Sequence, residues 1–80
     1  MLVYILFSDT RSRYYVGQTS DIVKRLEKHN HSGVPSTKGG VPWKLIKVIE
    51  VEDRSAALLL EKKIKKRGAG RYLKDNQFGV

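Results

Sequence analysis

Two short apolar segments joined by a turn begin the chain, and together they constrain its fold more than any other feature. Residues 3–7 (VYILF) are rich in β-branched and aromatic side chains, which is typical of a buried strand. Residues 8–12 (SDTRS) have the composition of a turn, and residues 13–17 (RYYVG) follow as a second strand. The sequence therefore predicts a β-hairpin, and with it a sheet that is at least partly antiparallel.

A helix is predicted directly after the hairpin. Thr19 or Ser20 can cap it, and Asp21 would lie in its first turn, where a negative charge is favourable. The helix is expected to run to about Asn30 and to stop near Gly33, because glycine commonly follows the last helical turn.

A loop, a strand and a second helix come next. Residues 32–42 are rich in Gly, Pro, Ser and Thr and are expected to form a loop. Residues 43–51 alternate in the manner of a third strand. Asp53 or Ser55 then begins a second helix that extends to about Arg67.

A short third helix over residues 71–76 is expected after a break at residues 68–70 (GAG). The order β-β-α-β-α-(α) predicts an α/β fold of the α+β type, in which a small three-stranded sheet is flanked by helices. Residues 1–80 are expected to form a single domain, since the chain is too short for two.

The positive charge of the chain is unevenly distributed. Sixteen Lys and Arg residues against eight Asp and Glu give a net charge of +8. Residues 54–80 hold eight basic and two acidic side chains (+6), whereas residues 1–53 hold eight and six (+2). A concentrated basic segment is typical of a nucleic-acid binder. The alternative is a lysine-rich helix that only keeps the protein solvated.

The composition also limits the environment of the protein. There are no cysteines, so disulfides and thiolate metal sites are excluded. The apolar run at residues 2–7 is too short for a membrane span or a secretory signal. We therefore expect a cytoplasmic protein that does not bind a membrane.

Glu61 stands out because it lies at an apolar position of the second predicted helix. Ala57, Leu60 and Ile64 have the spacing of a core-facing stripe, and Glu61 lies about 40° from Ala57 around the helix axis. A carboxylate that faces inward must be paired or bound to a cation. The alternative is that Glu61 turns outward and pairs with Lys65 one turn later.

Arg25 and His29 are neighbours on the first predicted helix, because they are four residues apart. Ile22 and Leu26 mark the buried side of this helix, and His29 lies about 20° from Ile22. A guanidinium in this place could clamp a phosphate, and an imidazole could accept a proton. The alternative is a histidine at the edge of the core beside an arginine that extends to solvent.

Three tyrosines and one tryptophan lie on the predicted strands. A turn with an even number of residues would place Tyr4 and Tyr15 on the same face of the hairpin, where they could belong to a site or simply to the core. Tyr14 is expected to be a core aromatic, and Trp43 a core or edge aromatic. The sequence has no Gly-rich phosphate loop and no zinc-type spacing. With one inward carboxylate, a one-metal site is favoured over a two-metal site.

These positions together resemble the GIY-YIG nuclease family over nearly the whole chain. Val3-Tyr4-Ile5 corresponds to the first family signature, with Val in place of Gly, and Tyr15-Val16-Gly17 to the second, with Val in place of Ile. The resemblance continues through Gly17-Gln18-Thr19, Arg25, His29 and the segment around Glu61. It is greatest to the small single-domain members, which are related to the nuclease modules of repair endonucleases and therefore suggest a role in DNA repair.

The resemblance implies a metal-dependent endonuclease that acts on nucleic acid, with DNA as the expected substrate. Glu61 would bind one Mg²⁺ or Mn²⁺ ion, and Tyr4 would be the general base, with its own proton passed to His29. Arg25 would stabilise the charge of the transition state, and Tyr15 would position the phosphate or the water. A late asparagine of the family corresponds to Asn76.

Basic side chains on the second helix, after it and in the loop could hold the phosphates that flank the scissile one. They are Lys62, Lys63, Lys66, Arg67, Arg71 and Lys38. A protein partner could supply specificity. Two other interpretations remain open: a nucleic-acid-binding module that does not cleave, and an interaction module whose basic helix binds an acidic protein.

Overall fold

The computed structural model describes residues 1–31 and 35–76, which form one three-stranded sheet with helices on both faces. Strands β1 (Leu2–Ser8), β2 (Arg13–Thr19) and β3 (Trp43–Glu50) lie in the order β2-β1-β3, and both pairs are antiparallel. The predicted hairpin and the predicted α+β fold are confirmed.

The helices are α1 (Ile22–Asn30), α2 (Arg54–Arg67) and α3 (Ala69–Asp75). None of the helices in the described ranges is long and apolar enough to cross a bilayer. Aspartates cap the N-terminal ends of helices α1 and α2. The Asp21 carboxylate accepts a hydrogen bond from the Lys24 amide at 3.1 Å, and the Asp53 carboxylate accepts one from the Ala56 amide at 2.8 Å.

The prediction that Thr19 or Ser20 caps α1 is therefore wrong. Asp21 has an extended backbone (φ −141°, ψ 100°), which directs its carboxylate to the free amides of the first turn. The Thr19 hydroxyl instead accepts a hydrogen bond from the Asp21 amide at 3.1 Å. Thr19 thus belongs to the end of β2 and shapes the connection into the helix.

Two other local predictions need correction. Pro35–Gly40 forms a 3-10 helix where a loop was expected, which is a common form for a short connector. The expected helix end at Gly33 lies outside the described residues. Helix α3 begins at Ala69 because the break is confined to Gly68, whose φ of +94° turns the chain in a conformation that L side chains rarely adopt.

The sheet separates two different cores. On one face, α2 and α3 cover an aliphatic cluster that consists of Val3, Ile5, Val16, Ala57, Ile64 and Ala69. The predicted stripe on α2 is confirmed, since Ala57 and Ile64 are fully buried and Leu60 is partly buried. On the other face, α1 covers an aromatic cluster of Tyr4, Leu6 and Trp43, with Tyr15, Ile22 and Leu26 packed against it.

Tyr14 does not belong to either core, contrary to the prediction. It is 44% exposed and packs against Phe7, with 4.8 Å between ring centroids. The reason is that β2 is an edge strand, so a side chain near its start has neighbours on one side only. Trp43 is 6% exposed at the start of β3 and is a core aromatic, as expected.

Candidate active site

Three buried polar side chains form a continuous chain of hydrogen bonds beneath α1. The Tyr4 hydroxyl lies 2.8 Å from His29 Nε2, and His29 Nδ1 lies 2.8 Å from Thr37 Oγ1. None of the three residues is more than 1% exposed. The chain therefore connects the centre of β1 to the 3-10 helix without contact with bulk solvent.

Gly17 allows the Tyr4 phenol to lie against the backbone of β2. Tyr4 pairs with Gly17 across the hairpin, and a Cβ atom at Gly17 would be 2.5 Å from the Tyr4 hydroxyl oxygen. Tyr15 pairs with Leu6 two positions along, so it shares the face of Tyr4. This confirms that the two tyrosines lie on one face.

His29 closes this face from above. Its ring centroid lies 4.9 Å from that of Tyr15 and 5.7 Å from that of Tyr4, while the two tyrosine rings are 6.3 Å apart. His29 is fully buried, so it is not an edge-of-core residue. Tyr15 is half-buried and presents part of the cluster to solvent.

The electrostatics of the site hold both Tyr4 and His29 neutral near neutral pH. Burial raises the pKa of the Tyr4 phenol above its usual value, Tyr15 and Glu61 add to the rise, and Arg25 opposes it. Burial and the Arg25 guanidinium lower the pKa of His29. Arg25, which is half-buried, thus acts on both ends of the Tyr4–His29 hydrogen bond.

Glu61 lies on the α2 side of the sheet, around the edge formed by β2. Its Oε1 accepts a hydrogen bond from Gln18 Nε2 at 3.4 Å, and its Oε2 pairs with Lys65 Nζ at 2.7 Å. The pair with Lys65 forms without turning Glu61 outward, since the Glu61 side chain is only 16% exposed. Its carboxylate makes no hydrogen bond to Tyr4 or Tyr15 and affects Tyr4 through its charge.

Gln18 contributes a further polar atom beside Glu61. Its amide oxygen is buried and has no hydrogen-bond partner among the residues that the structure describes. Within the same residues there is no group of three or more His, Cys, Asp or Glu side chains that could hold a metal ion. A cation at this edge would therefore be held by the Glu61 carboxylate, with the Gln18 oxygen nearby.

The predicted phosphate-binding side chains are exposed. The four of them that belong to α2 lie about 100° to 160° around the helix axis from Glu61. Arg67 is held by Asp75, with bonds of 2.7 and 3.1 Å between the guanidinium and the carboxylate. The remaining exposed members are Lys38, Lys62, Lys63, Lys66 and Arg71.

Asn76 caps the end of α3, where its side-chain amide donates to the Tyr72 carbonyl at 2.8 Å. It makes no hydrogen bond to Tyr4, His29 or Glu61. Tyr4, Tyr15 and His29 are thus in direct contact. Arg25 and Glu61 act on Tyr4 through their charges.

Sequence reasoning missed two residues of this region. Gln18 is on the opposite face of β2 from Tyr15, and the only signal for it was its place beside Gly17. Thr37 lies in a segment whose Gly, Pro and Ser content indicates a loop, and no local pattern marks it as a partner of His29.

Comparison with known proteins supplies one match. The family model of the GIY-YIG catalytic domain matches residues 1–72. The match includes every residue of the hydrogen-bonded chain and both members of the Gln18–Glu61 pair. No curated protein and no solved structure matches the chain.

Proposed function

The chain belongs to the GIY-YIG family of nucleases, and we propose that it is a metal-dependent endonuclease that hydrolyses phosphodiester bonds, with DNA as its substrate. Members of this family generally use divalent metal ions. The observation that carries the proposal is the buried contact of 2.8 Å between the Tyr4 hydroxyl and His29 Nε2, because it joins a weak acid to a neutral base. The charges of Arg25 and Glu61 also act on Tyr4.

Tyr4 and His29 would work as a proton relay. Once the attacking water reaches the Tyr4 oxygen, which bulk solvent does not contact in the free protein, it would give that oxygen a proton while the phenol proton passes to His29 Nε2, and the water oxygen would form the new bond to phosphorus. Tyr4 gains one proton as it loses another, so its raised pKa does not obstruct the relay. The leaving oxygen departs from phosphorus and takes a proton from solvent.

Arg25 would connect substrate binding to this relay. Burial and, to a smaller extent, the Arg25 charge lower the pKa of His29, so the charge opposes formation of the imidazolium. A phosphate bound to the guanidinium neutralises much of that charge. His29 therefore becomes a better base when the substrate is in place, and Tyr15, the more exposed tyrosine, is suited to contact the same phosphate.

The residues at the β2 edge fit a single hard cation. Mg²⁺ takes oxygen ligands, keeps several waters and is commonly held by one or two carboxylates, and the Glu61 carboxylate with the buried Gln18 oxygen is a donor set of this kind. Glu61 would hold Mg²⁺ or Mn²⁺ once Lys65 moves aside. The bound ion would stabilise negative charge on the scissile phosphate.

A nucleic-acid-binding module that cleaves weakly or not at all is the second candidate. It is favoured by the state of Glu61, whose two oxygens are already engaged by Gln18 and Lys65. In this case the exposed basic side chains would bind DNA and the ion pair between Glu61 and Lys65 would persist.

Cleavage of a substrate panel tests the proposal. Supercoiled plasmid and labelled duplex, flap, fork and single-stranded DNA, with RNA counterparts, are incubated with Mg²⁺, with Mn²⁺ or with EDTA. Glu61→Gln should reduce cleavage roughly 10² to 10³-fold, as loss of a transition-state electrostatic group does, and should leave DNA binding nearly unchanged.

Lys65→Met is the matched control, because it removes the same ion pair and keeps the carboxylate. It should cleave at least as well as the wild type. Cleavage by Glu61→Gln at the wild-type rate would show that the metal site is wrong. Salt-sensitive binding to DNA without cleavage of any substrate would favour the second candidate.

A further inference from the structure

A buried hydroxyl lies behind the His29 imidazole, on the side away from Tyr4. Thr37 Oγ1 is 2.8 Å from His29 Nδ1, and Thr37 is 1% exposed. A neutral imidazole carries one N–H, so one ring nitrogen donates and the other accepts. The hydrogen-bond partner of Nδ1 therefore influences whether Nε2 donates to Tyr4 or accepts from it.

The burial of Tyr4 favours one of the two arrangements. Its hydroxyl has no hydrogen-bond partner other than His29 Nε2 among the residues that the structure describes. If Nε2 carried the hydrogen, the buried O–H of Tyr4 would lack an acceptor, which costs about 1–3 kcal/mol. With the hydrogen on Nδ1, Tyr4 donates to Nε2 and Nδ1 donates to Thr37, so both donors are satisfied.

Thr37 is itself held in place through Trp43, which Asn30 holds in turn. The indole N–H of Trp43 donates to the Thr37 carbonyl at 2.7 Å. The Asn30 side chain accepts a hydrogen bond from the Trp43 amide and donates to its carbonyl at 3.2 Å. The C-terminal end of α1, the 3-10 helix and the start of β3 are thus locked together around the hydroxyl.

We propose that Thr37 is a positioning residue that holds His29 in the tautomer with Nδ1 protonated, so that Nε2 is free to take a proton from Tyr4. The catalytic consequence rests on the proposed nuclease function, whereas the tautomer is a property of the folded protein alone. The same principle fixes the orientation of general-base histidines through a partner on the second ring nitrogen.

Nitrogen NMR of the histidine rings in the full chain tests this. Protein labelled with ¹⁵N-histidine is measured at pH 7.5, and His31→Gln assigns the signals of His29, because His31 is the other histidine. The wild type should show Nδ1 protonated and Nε2 unprotonated. Thr37→Val keeps the shape but removes the acceptor, and should move His29 toward the Nε2-protonated form.

Thr37→Ser retains the hydroxyl and should keep the wild-type tautomer. Cleavage should fall at least about tenfold in Thr37→Val, the size of the loss when metal-ligating histidines are deprived of their partners, and recover in Thr37→Ser. An Nε2-protonated wild type, or a Thr37→Val protein with the wild-type tautomer, would overturn the proposal. The spectra of the wild type and of Thr37→Ser test the His29 tautomer even if Thr37→Val fails to fold. Absence of cleavage in the wild type would count against the nuclease function only.

Discussion

Replacement of Gly17 by alanine tests how closely the Tyr4 phenol packs against β2. The added Cβ would lie 2.5 Å from the Tyr4 hydroxyl oxygen and 2.7 Å from Cζ. Ordinary contacts of a Cβ atom begin near 3.4 Å, so the phenol would have to move by nearly 1 Å. Overpacking of a close-packed core costs about 1–3 kcal/mol.

The same movement would disturb the hydrogen bond to His29. If it opens, a buried pair is left unsatisfied, at a further cost of about 1–3 kcal/mol. We therefore expect Gly17→Ala to lower the free energy of unfolding by about 2–6 kcal/mol, a large part of the roughly 4–12 kcal/mol expected for 80 residues. Urea denaturation followed by circular dichroism measures this, and cleavage should be lost together with stability.

Gly70→Ala is the matched control. Its Cβ would lie 3.2 Å from the partly exposed ring of Tyr14, which can move, and it replaces a glycine within α3. Alanine favours the helix by about 0.5–1 kcal/mol, so this variant should be as stable as the wild type or more stable. The double variant Gly17→Ala/Tyr4→Phe, which lacks the nearest clashing atom, should be more stable than the sum of the single changes predicts. Stability of Gly17→Ala within about 0.5 kcal/mol of the wild type would refute the reasoning.

Two further predictions concern protons and salt. The pKa of His29 is lowered in the folded protein, so below pH 6.5, the usual pKa of histidine, the unfolded chain binds more protons than the folded one. The stability that comes from the neutral imidazole should therefore be complete above pH 6.5. It should decline as the pH falls further, by at most about 1.4 kcal/mol per pH unit. Urea denaturation between pH 7.5 and 5.5 should show this decline in the wild type and in His31→Gln but not in His29→Gln, and equal slopes in all three would contradict it. Charge reversal of the exposed α2 lysines Lys62, Lys63 and Lys66 should weaken DNA binding for all sequences. The slope of the logarithm of the binding constant against the logarithm of the salt concentration should become smaller by about 0.9 for each DNA phosphate that the protein no longer neutralises. An unchanged slope would place the DNA elsewhere.

The features that repeat along the chain were predictable from the sequence. Strand alternation places Tyr4 and Tyr15 on one face, and helical spacing marks Glu61 as an inward carboxylate, because these periods are intrinsic to the elements. The choice of helix cap was not predictable, since Thr19, Ser20 and Asp21 are all good caps and the backbone angles decide among them.

Contacts between distant segments were not predictable from local patterns. Thr37 meets His29 only because α1, the 3-10 helix and β3 fold around Trp43, and a single sequence carries no periodic signal for such a meeting. The position of Tyr14 depends on β2 being an edge strand, which follows from the sheet order and not from the composition of the strand.

The division of the protein into two unlike cores has a consequence for its evolution and for protein engineering. On the α1 face, Tyr4 and His29 pack in the core and are also candidate reacting groups. A mutation there is therefore constrained both by stability and by function. On the α2 face, aliphatic residues can exchange for one another at modest cost. Divergence in substrate preference should therefore arise at the exposed margin of the site, and a directed-evolution library would be best confined to exposed positions, such as Lys38 on the 3-10 helix and the outer positions of α2.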